Sequence, residues 1–274
     1  NALGIIKRSA AVVNHQLGIL DDERKNAIIL AADEIIEGKF DNQFPIDTFQ
    51  TGSGTSSNMN CNEIIANRAS ELMGGQIGTR EPVHPNNHVN MGQSSNDVIP
   101  TAIHIAANMA IHNSLIPSLH SLADSLDQKA AEFAGIFKIG RTHLQDATPM
   151  TLGQEFSGYH QIIKNNIKQI NQSKKILSSL AQGGTAVGTG INTHKDFGKL
   201  IAEQISKEID ELGRKQEKLA DNDSLNSSEE QEKMKVTAVE EKENKLISEP
   251  KKEELKKELS KPDIKKEELK KKKK

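Results

Sequence analysis

The chain has 274 residues, a formal net charge of −2 and only 3% aromatic side chains. This length suits one or two domains of ordinary size. The sequence has no run of about 18 apolar residues, which argues against a membrane-spanning helix. It also has no basic face with interleaved aromatic residues, which argues against nucleic-acid binding. Cys61 is the single cysteine, so an internal disulfide is excluded and a cytoplasmic, reducing location is expected.

The first 200 residues show the spacing of apolar side chains that is typical of helices. Short helices are predicted at about 3–18, 22–37 and 59–73. A longer helix is indicated by apolar residues three or four positions apart: Leu115, Leu119, Leu122, Leu126, Ala130, Phe133 and Phe137. Upstream residues continue the same spacing: Ile99, Ile103, Ala106 and Ala110. Pro117 should kink or split this long helix, because proline cannot donate the backbone hydrogen bond of a helix interior.

A second long helix is predicted over about 150–181, with Thr148 as its N-cap and Pro149 in its first turn. A third should begin near Lys195. The fold class is therefore all-α, with any sheet minor. We expect a small irregular N-terminal domain over residues 1–93, and a central helical domain over residues 94–212.

The last part of the chain has a different composition. Residues 229–274 contain 16 Lys and 13 acidic residues. Folding costs about 1–2 kcal/mol per residue in backbone entropy, and a segment this poor in apolar side chains cannot offset that cost. Residues 213–274 are therefore expected to form a charged, disordered tail.

Two polar loops lead into predicted helices, at residues 51–58 (TGSGTSSN) and 93–97 (QSSND). Free backbone N–H groups and hydroxyls at a helix start favour an anion such as a small carboxylate. The alternative is ordinary capping, by Asn60 with Glu63 in the first case and by Ser94 with Asp97 in the second. The presence of two such starts favours a dicarboxylate.

Three further loops carry polar groups. In the loop over residues 140–146, His143 could move protons at neutral pH, or it could be structural; Asp146 could orient it or pair with Arg141. The loop over residues 84–88 (HPNNH) has too few ligands for a typical zinc site, so it is an anion-binding loop or a plain connection. The glycine-rich residues 183–192 lack the ending of a phosphate-binding loop and are interpreted as a tight connection between helices.

Taken in order, these segments resemble the class II fumarases of the aspartase–fumarase superfamily. The matching stretches are TGSGTSSNMN at 51–60, HPNNHVN at 84–90, QSSND at 93–97, GRTHLQDATP at 140–149 and GGTAVGTG at 183–190. The resemblance covers about residues 1–210. Ser53, Ser95 and His143 match fumarases, whereas aspartases typically carry Ala, Thr and Gln at these positions.

The resemblance implies a fold that is a partial long helical bundle, and a hydro-lyase of the tricarboxylic acid cycle that hydrates fumarate reversibly to L-malate. It implies a homotetramer whose active sites combine loops from three subunits, with a small dicarboxylate as partner and no cofactor or metal. His143 would be the catalytic proton donor or acceptor. The substrate-binding residues would be Ser53, Gly54, Thr55, Ser94, Ser95, Asn96 and Thr142. A secondary anion site would comprise His84, Pro85, Asn86 and Asn87.

The sequence departs from the family pattern in three places. Asn87 stands where the family often has Asp, and Glu81 lies where a basic residue is common. The family's later loop of the type Gly-Ser-Ser-x-Met-Pro-x-Lys-x-Asn is not found in this sequence. We therefore expect a chain truncated at both ends with an unrelated tail, inactive by itself. The alternative is a non-enzymatic fragment or interaction protein that co-assembles with full-length fumarase.

Overall fold

The computed structural model describes residues 1–47, 49–50 and 54–213. Residues 1–209 form one unit, and of the second unit, residues 210–274, only the first four residues are described. The predicted tail over residues 213–274 lies outside the described residues apart from its first position. The helices are α1 (Ala2–Gln16), α2 (Asp22–Ile36), α3 (Thr55–Leu72), α4 (Ser95–Ala110), α5 (Ile116–Glu132), α6 (Leu152–Leu177) and α7 (residues 197–213).

Helices α1, α2 and α3 pack around the main hydrophobic core. Asp21 caps α2 by accepting a hydrogen bond from the backbone N–H of Arg24 at 2.9 Å, which satisfies one of the N–H groups left over at a helix start. A Cβ added at Gly4 of α1 would lie 2.9 Å from Ile36, so glycine lets α1 approach the end of α2. The buried members of this core include Ala27, Ile28, Ala31, Ala32, Ile35, Cys61, Ile65, Ala66 and Ala69.

The predicted long central helix is divided into α4 and α5. A π-helical turn, Ile111–Leu115, separates them, and Pro117 lies in the first turn of α5. The first turn needs no donor at this position, so proline is accommodated there, and the predicted split is confirmed. Helix α5 ends at Glu132. The prediction that Phe137 continues the apolar stripe of this helix is wrong, since a turn containing Gly135 intervenes.

A β-hairpin occupies the predicted polar loop after α5. Strand β1 (Phe137–Thr142) pairs antiparallel with β2 (Gln145–Thr151). Helix α6 follows at once, and Thr151 caps it by accepting from the backbone N–H of Gln154 at 3.1 Å. The predicted cap at Thr148 is therefore wrong, because Thr148 and Pro149 belong to β2.

Helices α5 and α6 pack against each other through a glycine. A Cβ added at Gly153 would lie 2.4 Å from the carbonyl oxygen of Ala130, and the rings of Phe133 and Phe156 meet edge to face with centroids 5.2 Å apart. Several large apolar side chains of this region are nevertheless exposed: Leu115, Leu122, Ile136, Phe137, Ile139, Leu144, Tyr159, Ile162 and Ile176. Within the described residues, no helix is both long enough and apolar enough to span a bilayer.

The last described helix, α7, returns to the first. Phe197, Ile201 and Ile205 are buried along one face of α7. Arg8 of α1 forms ion pairs with Asp33 of α2 and with Glu208 of α7. Packing of α7 thus holds the glycine-rich segment that precedes it close to the start of the chain.

Candidate functional site

The two helix starts predicted to bind an anion lie side by side. Asn58, in the first turn of α3, donates from Nδ2 to the Oγ of Ser95, the first residue of α4, at 2.9 Å. Gly54, which precedes α3 with φ +66°, lies so close to α4 that an added Cβ would sit 3.0 Å from Ile99. The positive ends of two helix dipoles therefore meet at one place, where a carboxylate is favoured.

The start of α4 is also a regular capping box. Ser94 accepts from the backbone N–H of Asn96 at 3.3 Å, and Asp97 accepts from the backbone N–H of Ser94 at 2.9 Å. The predicted cap by Ser94 and Asp97 is thus confirmed, whereas Asn60 and Glu63 lie inside α3 and do not cap it. Capping leaves the backbone N–H and the hydroxyl hydrogen of Ser95 without an acceptor among the described residues.

Lys7 of α1 is completely buried beneath these helix starts. Its Nζ donates to Oδ1 of Asn90 at 2.9 Å and to Oε1 of Gln93 at 3.0 Å. Burial lowers the pKa of Lys7 from 10.5 to about 8, and the nearby Cys61 and Asp97 oppose this shift. Burial also raises the pKa of the Cys61 thiol to about 11. The segment that leads into α4 is therefore fixed to a buried amine.

The glycine-rich segment 183–190 is attached to α4. Oδ2 of Asp97 accepts from the backbone N–H groups of Gly183 at 3.1 Å and of Thr185 at 2.8 Å, and Asn96 donates from Nδ2 to the carbonyl oxygen of Ala186 at 2.8 Å. The segment does connect α6 with α7, as predicted, but it also forms one wall of the candidate site.

The loop over residues 84–88 is a π-helical turn, Pro85–Val89, that packs on α3. Nδ1 of His84 accepts from the backbone N–H groups of Asn86 at 3.1 Å and Asn87 at 3.3 Å. His88 in turn accepts from the backbone N–H of His84, and burial lowers the pKa of His88. Two N–H groups that could face an anion are thus directed at an imidazole, while the side chains of Asn86 and Asn87 are exposed.

His143 lies at the tip of the hairpin. His143 and Leu144 form its two-residue turn with φ of +48° and +59°, a left-handed pair of the kind that two-residue hairpins require. Both side chains are exposed, and within the described residues no hydrogen bond or ion pair holds the imidazole. Asp146 lies opposite Arg141 in the hairpin register. No described contact attaches Asp146 to His143.

The predicted site residues therefore fall into three places. Gly54, Thr55, Ser94, Ser95 and Asn96 lie together at the starts of α3 and α4. His84, Pro85, Asn86 and Asn87 form the neighbouring turn, and Thr142 and His143 lie at the hairpin tip. Ser53 falls outside the described residues. Groups of three His, Cys, Asp or Glu side chains placed to hold a metal ion do not occur in the part of the chain that the structure describes.

Sequence reasoning missed Lys7, Asn58 and Asn90. Lys7 follows Ile5 and Ile6 on the buried face of α1, which it shares with Ala10, Ala11 and Asn14. A buried cation on an amphipathic helix indicates a polar partner. Asn58 and Asn90 lie inside recognised motifs, but spacing alone does not show that their amides meet.

A family model described as "Lyase" matches residues 1–249. The chain belongs to this lyase family. Among curated relatives, it is 60% identical over 208 residues to "Fumarate hydratase, mitochondrial" of Saccharomyces cerevisiae, covering 76% of this chain and 42% of the relative. It is 59% identical over 207 residues to "Fumarate hydratase class II" of Halobacterium salinarum, covering 76% of this chain and 44% of the relative.

Solved structures of similar fold include a class II fumarase, in agreement with the curated relatives. The crystal structure of recombinant class II fumarase from Schistosoma mansoni superposes with a TM-score of 0.76 at 44% identity, over 78% of this chain and 45% of that one. The chain thus spans less than half the length of the relatives it matches. The resemblance to class II fumarases and the helical fold class that it implied are confirmed.

Proposed function

We propose that this chain supplies part of a site for the reversible hydration of fumarate to L-malate. One observation carries the proposal: the hydrogen bond from Asn58 to Ser95 joins the starts of α3 and α4. A dicarboxylate has two anionic ends, and two adjoining helix starts offer backbone and hydroxyl donors for such groups. The curated relatives named as fumarate hydratases support the same substrate.

In this proposal the start of α4 binds a substrate carboxylate. Ser95 offers its hydroxyl and its backbone N–H, while Ser94 and Asn96 shape the turn around it. Because Asp97 holds the segment 183–190 against α4, the donors are fixed before substrate arrives. Preorganised donors lower the cost of stabilising the extra negative charge of an aci-carboxylate intermediate.

We assign the proton transfer to His143, acting through water, with Thr142 beside it. The hairpin packs on α6, and Leu144 and Phe137 are 96% and 81% exposed. Such exposed apolar surface in this region favours contact with another subunit. We therefore propose a homotetramer in which the hairpin of one copy faces the helix starts of another.

The unpaired, buried Cys61 supports a reducing, cytoplasmic location.

The 274-residue chain by itself is proposed to be inactive, because the sequence holds no Gly-Ser-Ser-x-Met-Pro segment to supply the carbon-acid base. Loss of a general base lowers turnover by roughly 100-fold or more. The test is the decay of fumarate absorbance with the purified chain. Turnover at an ordinary enzymatic rate would show the inactivity proposal to be wrong.

A second candidate function is co-assembly with a full-length class II fumarase. It is favoured by the exposed apolar face of α5 and α6, which a bundle partner would cover. Light scattering after size exclusion would reveal mixed oligomers when the chain is refolded with such an enzyme. Elution of each protein at its own separate mass would exclude this candidate.

A further inference from the structure

Lys7 is joined to Ser95 by a chain of three hydrogen bonds. Nζ of Lys7 donates to Oδ1 of Asn90 at 2.9 Å, Nδ2 of Asn58 donates to the same oxygen at 3.4 Å, and the same Nδ2 donates to Oγ of Ser95 at 2.9 Å. Lys7 and Asn58 are fully buried, whereas Asn90 and Ser95 are partly buried.

The chemistry of the ammonium group fixes the direction of every bond in this chain. A protonated lysine only donates, so Asn90 must face it with its oxygen, and the Asn90 amide nitrogen donates to the carbonyl oxygen of Gln93 at 3.3 Å. Asn58 must then present its nitrogen, because the opposite rotation of its amide would place two carbonyl oxygens against each other. Ser95 consequently accepts from Asn58.

A hydroxyl that accepts from the protein interior has its own hydrogen left for another partner. Ser95 is only partly buried at the start of α4, where a carboxylate is favoured. The buried Oδ1 of Asn58 has no partner among the described residues. The opposite rotation would leave Nδ2 without an acceptor at the same place, so this cost does not decide the orientation. The Lys7–Asn90 contact determines the rotation instead.

We propose that Lys7 is a positioning residue that, through Asn90 and Asn58, directs the hydroxyl hydrogen of Ser95 toward a substrate carboxylate at the start of α4. This inference rests on the proposed function, because it assigns a role to a residue behind that same carboxylate position. Lys7 itself does not touch the ligand.

The inference predicts non-additive effects on ligand binding. Affinity for L-malate is measured by calorimetry for the 274-residue chain and its variants. Lys7→Met and Ser95→Ala should each weaken binding about tenfold, the effect of losing one hydrogen bond to a charged group. When Lys7→Met is introduced into the Ser95→Ala variant, the Kd for L-malate should change less than twofold, because the effect of Lys7 passes through the Ser95 hydroxyl that is already lost. An equal tenfold effect in both backgrounds would overturn the inference.

Two further variants test the contact chain. Asn58→Leu removes the N–H donor without adding a charge and leaves Lys7 intact, so it should weaken binding as Lys7→Met does. Lys199→Met is the matched control, since the Lys199 side chain is 80% exposed and pairs with Glu203 on α7. The affinity of this variant for L-malate should equal that of the parent chain. Binding by Asn58→Leu at parental strength would contradict the proposed role of the Asn58 donor.

The pH profile gives a readout that a purely structural role would not produce. Malate stays a dianion between about pH 6.5 and 9.5, while Lys7 loses its proton near pH 8. Asp97 is its charged neighbour, and the thiol of Cys61, whose pKa is about 11, stays protonated over this range. A neutral amine also accepts hydrogen bonds, so only the longer bond from Asn90 to the Gln93 carbonyl oxygen, at 3.3 Å, still favours this rotation of Asn90. Affinity of the parent chain should fall above pH 8, and that of Lys7→Met should not. A flat parental profile would overturn the inference.

A ligand-free measurement separates this inference from the proposed function. In ¹⁵N-labelled chain, the side-chain amide signals of Asn58 should shift with the midpoint of Lys7 ionisation, and the shift should vanish in Lys7→Met. Absence of malate binding at every pH would sink the proposed function alone. Absence of the Asn58 shift would sink the role of Lys7, whatever the chain binds.

Discussion

Two regions of the molecule differ in the fraction of their residues that is buried. The first comprises α1 to α4, and the second comprises α5, the hairpin and α6. Helix α1 buries nine of its 15 residues, whereas α5 buries Ala123 and α6 buries Gly153 and Ile167. The first region buries its apolar side chains within the chain and pairs its buried lysine with Asn90 and Gln93. The second region presents an apolar face to solvent, as expected of a bundle that is completed by other subunits.

The two regions also carry different parts of the proposed chemistry, which are carboxylate binding in the first and proton transfer in the second. The carboxylate position at the start of α4 is held by Asp97, Asn58 and Lys7 through bonds within one chain. His143 lies on an exposed hairpin tip. In the proposed function, binding of an anion should therefore be a property of the single chain, and proton transfer a property of the proposed homotetramer.

The largest expected effect comes from breaking the first region at Asp97. Asp97→Ala removes the acceptor for three backbone N–H groups, of Ser94, Gly183 and Thr185. Charge-assisted bonds of this kind contribute about 1.5–3 kcal/mol each but not additively, so we expect a loss of about 4 kcal/mol in unfolding free energy by urea titration. Asp124→Ala, at an exposed position of α5, is the control. A loss below about 1 kcal/mol would mean that the segment 183–190 does not depend on Asp97.

The next effect concerns pH and the buried Lys7. Its pKa is about 8 in the folded chain against an ordinary 10.5, so between these values the unfolded chain binds more protons and stability rises with pH. Relative to Lys7→Met, the parent chain should gain about 3 kcal/mol in unfolding free energy between pH 7 and 10.5. Urea titrations at several pH values measure this. A parallel pH dependence of the two proteins would place Lys7 in contact with water.

A matched glycine pair tests the packing between α5 and α6. Gly153→Ala places a Cβ 2.4 Å from the carbonyl oxygen of Ala130, whereas an added Cβ at Gly158 of the same helix meets nothing within 4 Å. Overpacking should cost about 2 kcal/mol at Gly153, while Gly158→Ala should gain about 1 kcal/mol through helix propensity. Thermal unfolding should shift in opposite directions. Equal shifts would show that α5 and α6 do not pack closely in solution.

The smallest effect is expected at the hairpin tip. Leu144 has φ +59° and is 96% exposed, a conformation that costs a non-glycine residue about 1–2 kcal/mol. Leu144→Gly should therefore stabilise the chain by about 1 kcal/mol. Leu122→Ala, at an exposed position of α5, provides a comparison without a left-handed backbone. Destabilisation by Leu144→Gly would indicate that Leu144 is covered, as it would be in an oligomer.

The sequence predicts the helices well because their signals are local. Helices α1 and α2 match the predicted ranges within two residues, and Pro117 marks the break before α5. The hairpin was not predicted, since its strands Phe137–Thr142 and Gln145–Thr151 show no clear alternation of apolar and polar residues, and its turn lacks the usual Asn-Gly pair.

The candidate site could be predicted in part. The capping pair of Ser94 and Asp97 is visible from spacing alone. The contact of Asp97 with the segment 183–190 is not, because it joins residues more than 80 positions apart through backbone N–H groups that carry no sequence signature. The role of Lys7 also cannot be predicted from spacing, because it depends on the burial of the side chain and on its contact with Asn90, 83 positions away.

The π-helical turn between α4 and α5 has a consequence for how the helical bundle can vary. Such a turn contains one residue more than an α-helical turn, and one residue corresponds to about 100° of rotation around a helix axis. Residues 111–115 therefore set the angular phase between the anchored α4 and the bundle helix α5. Gain or loss of one residue there would rotate the whole apolar stripe of α5 relative to Ser95, and with it the direction from which the proposed neighbouring subunit could approach.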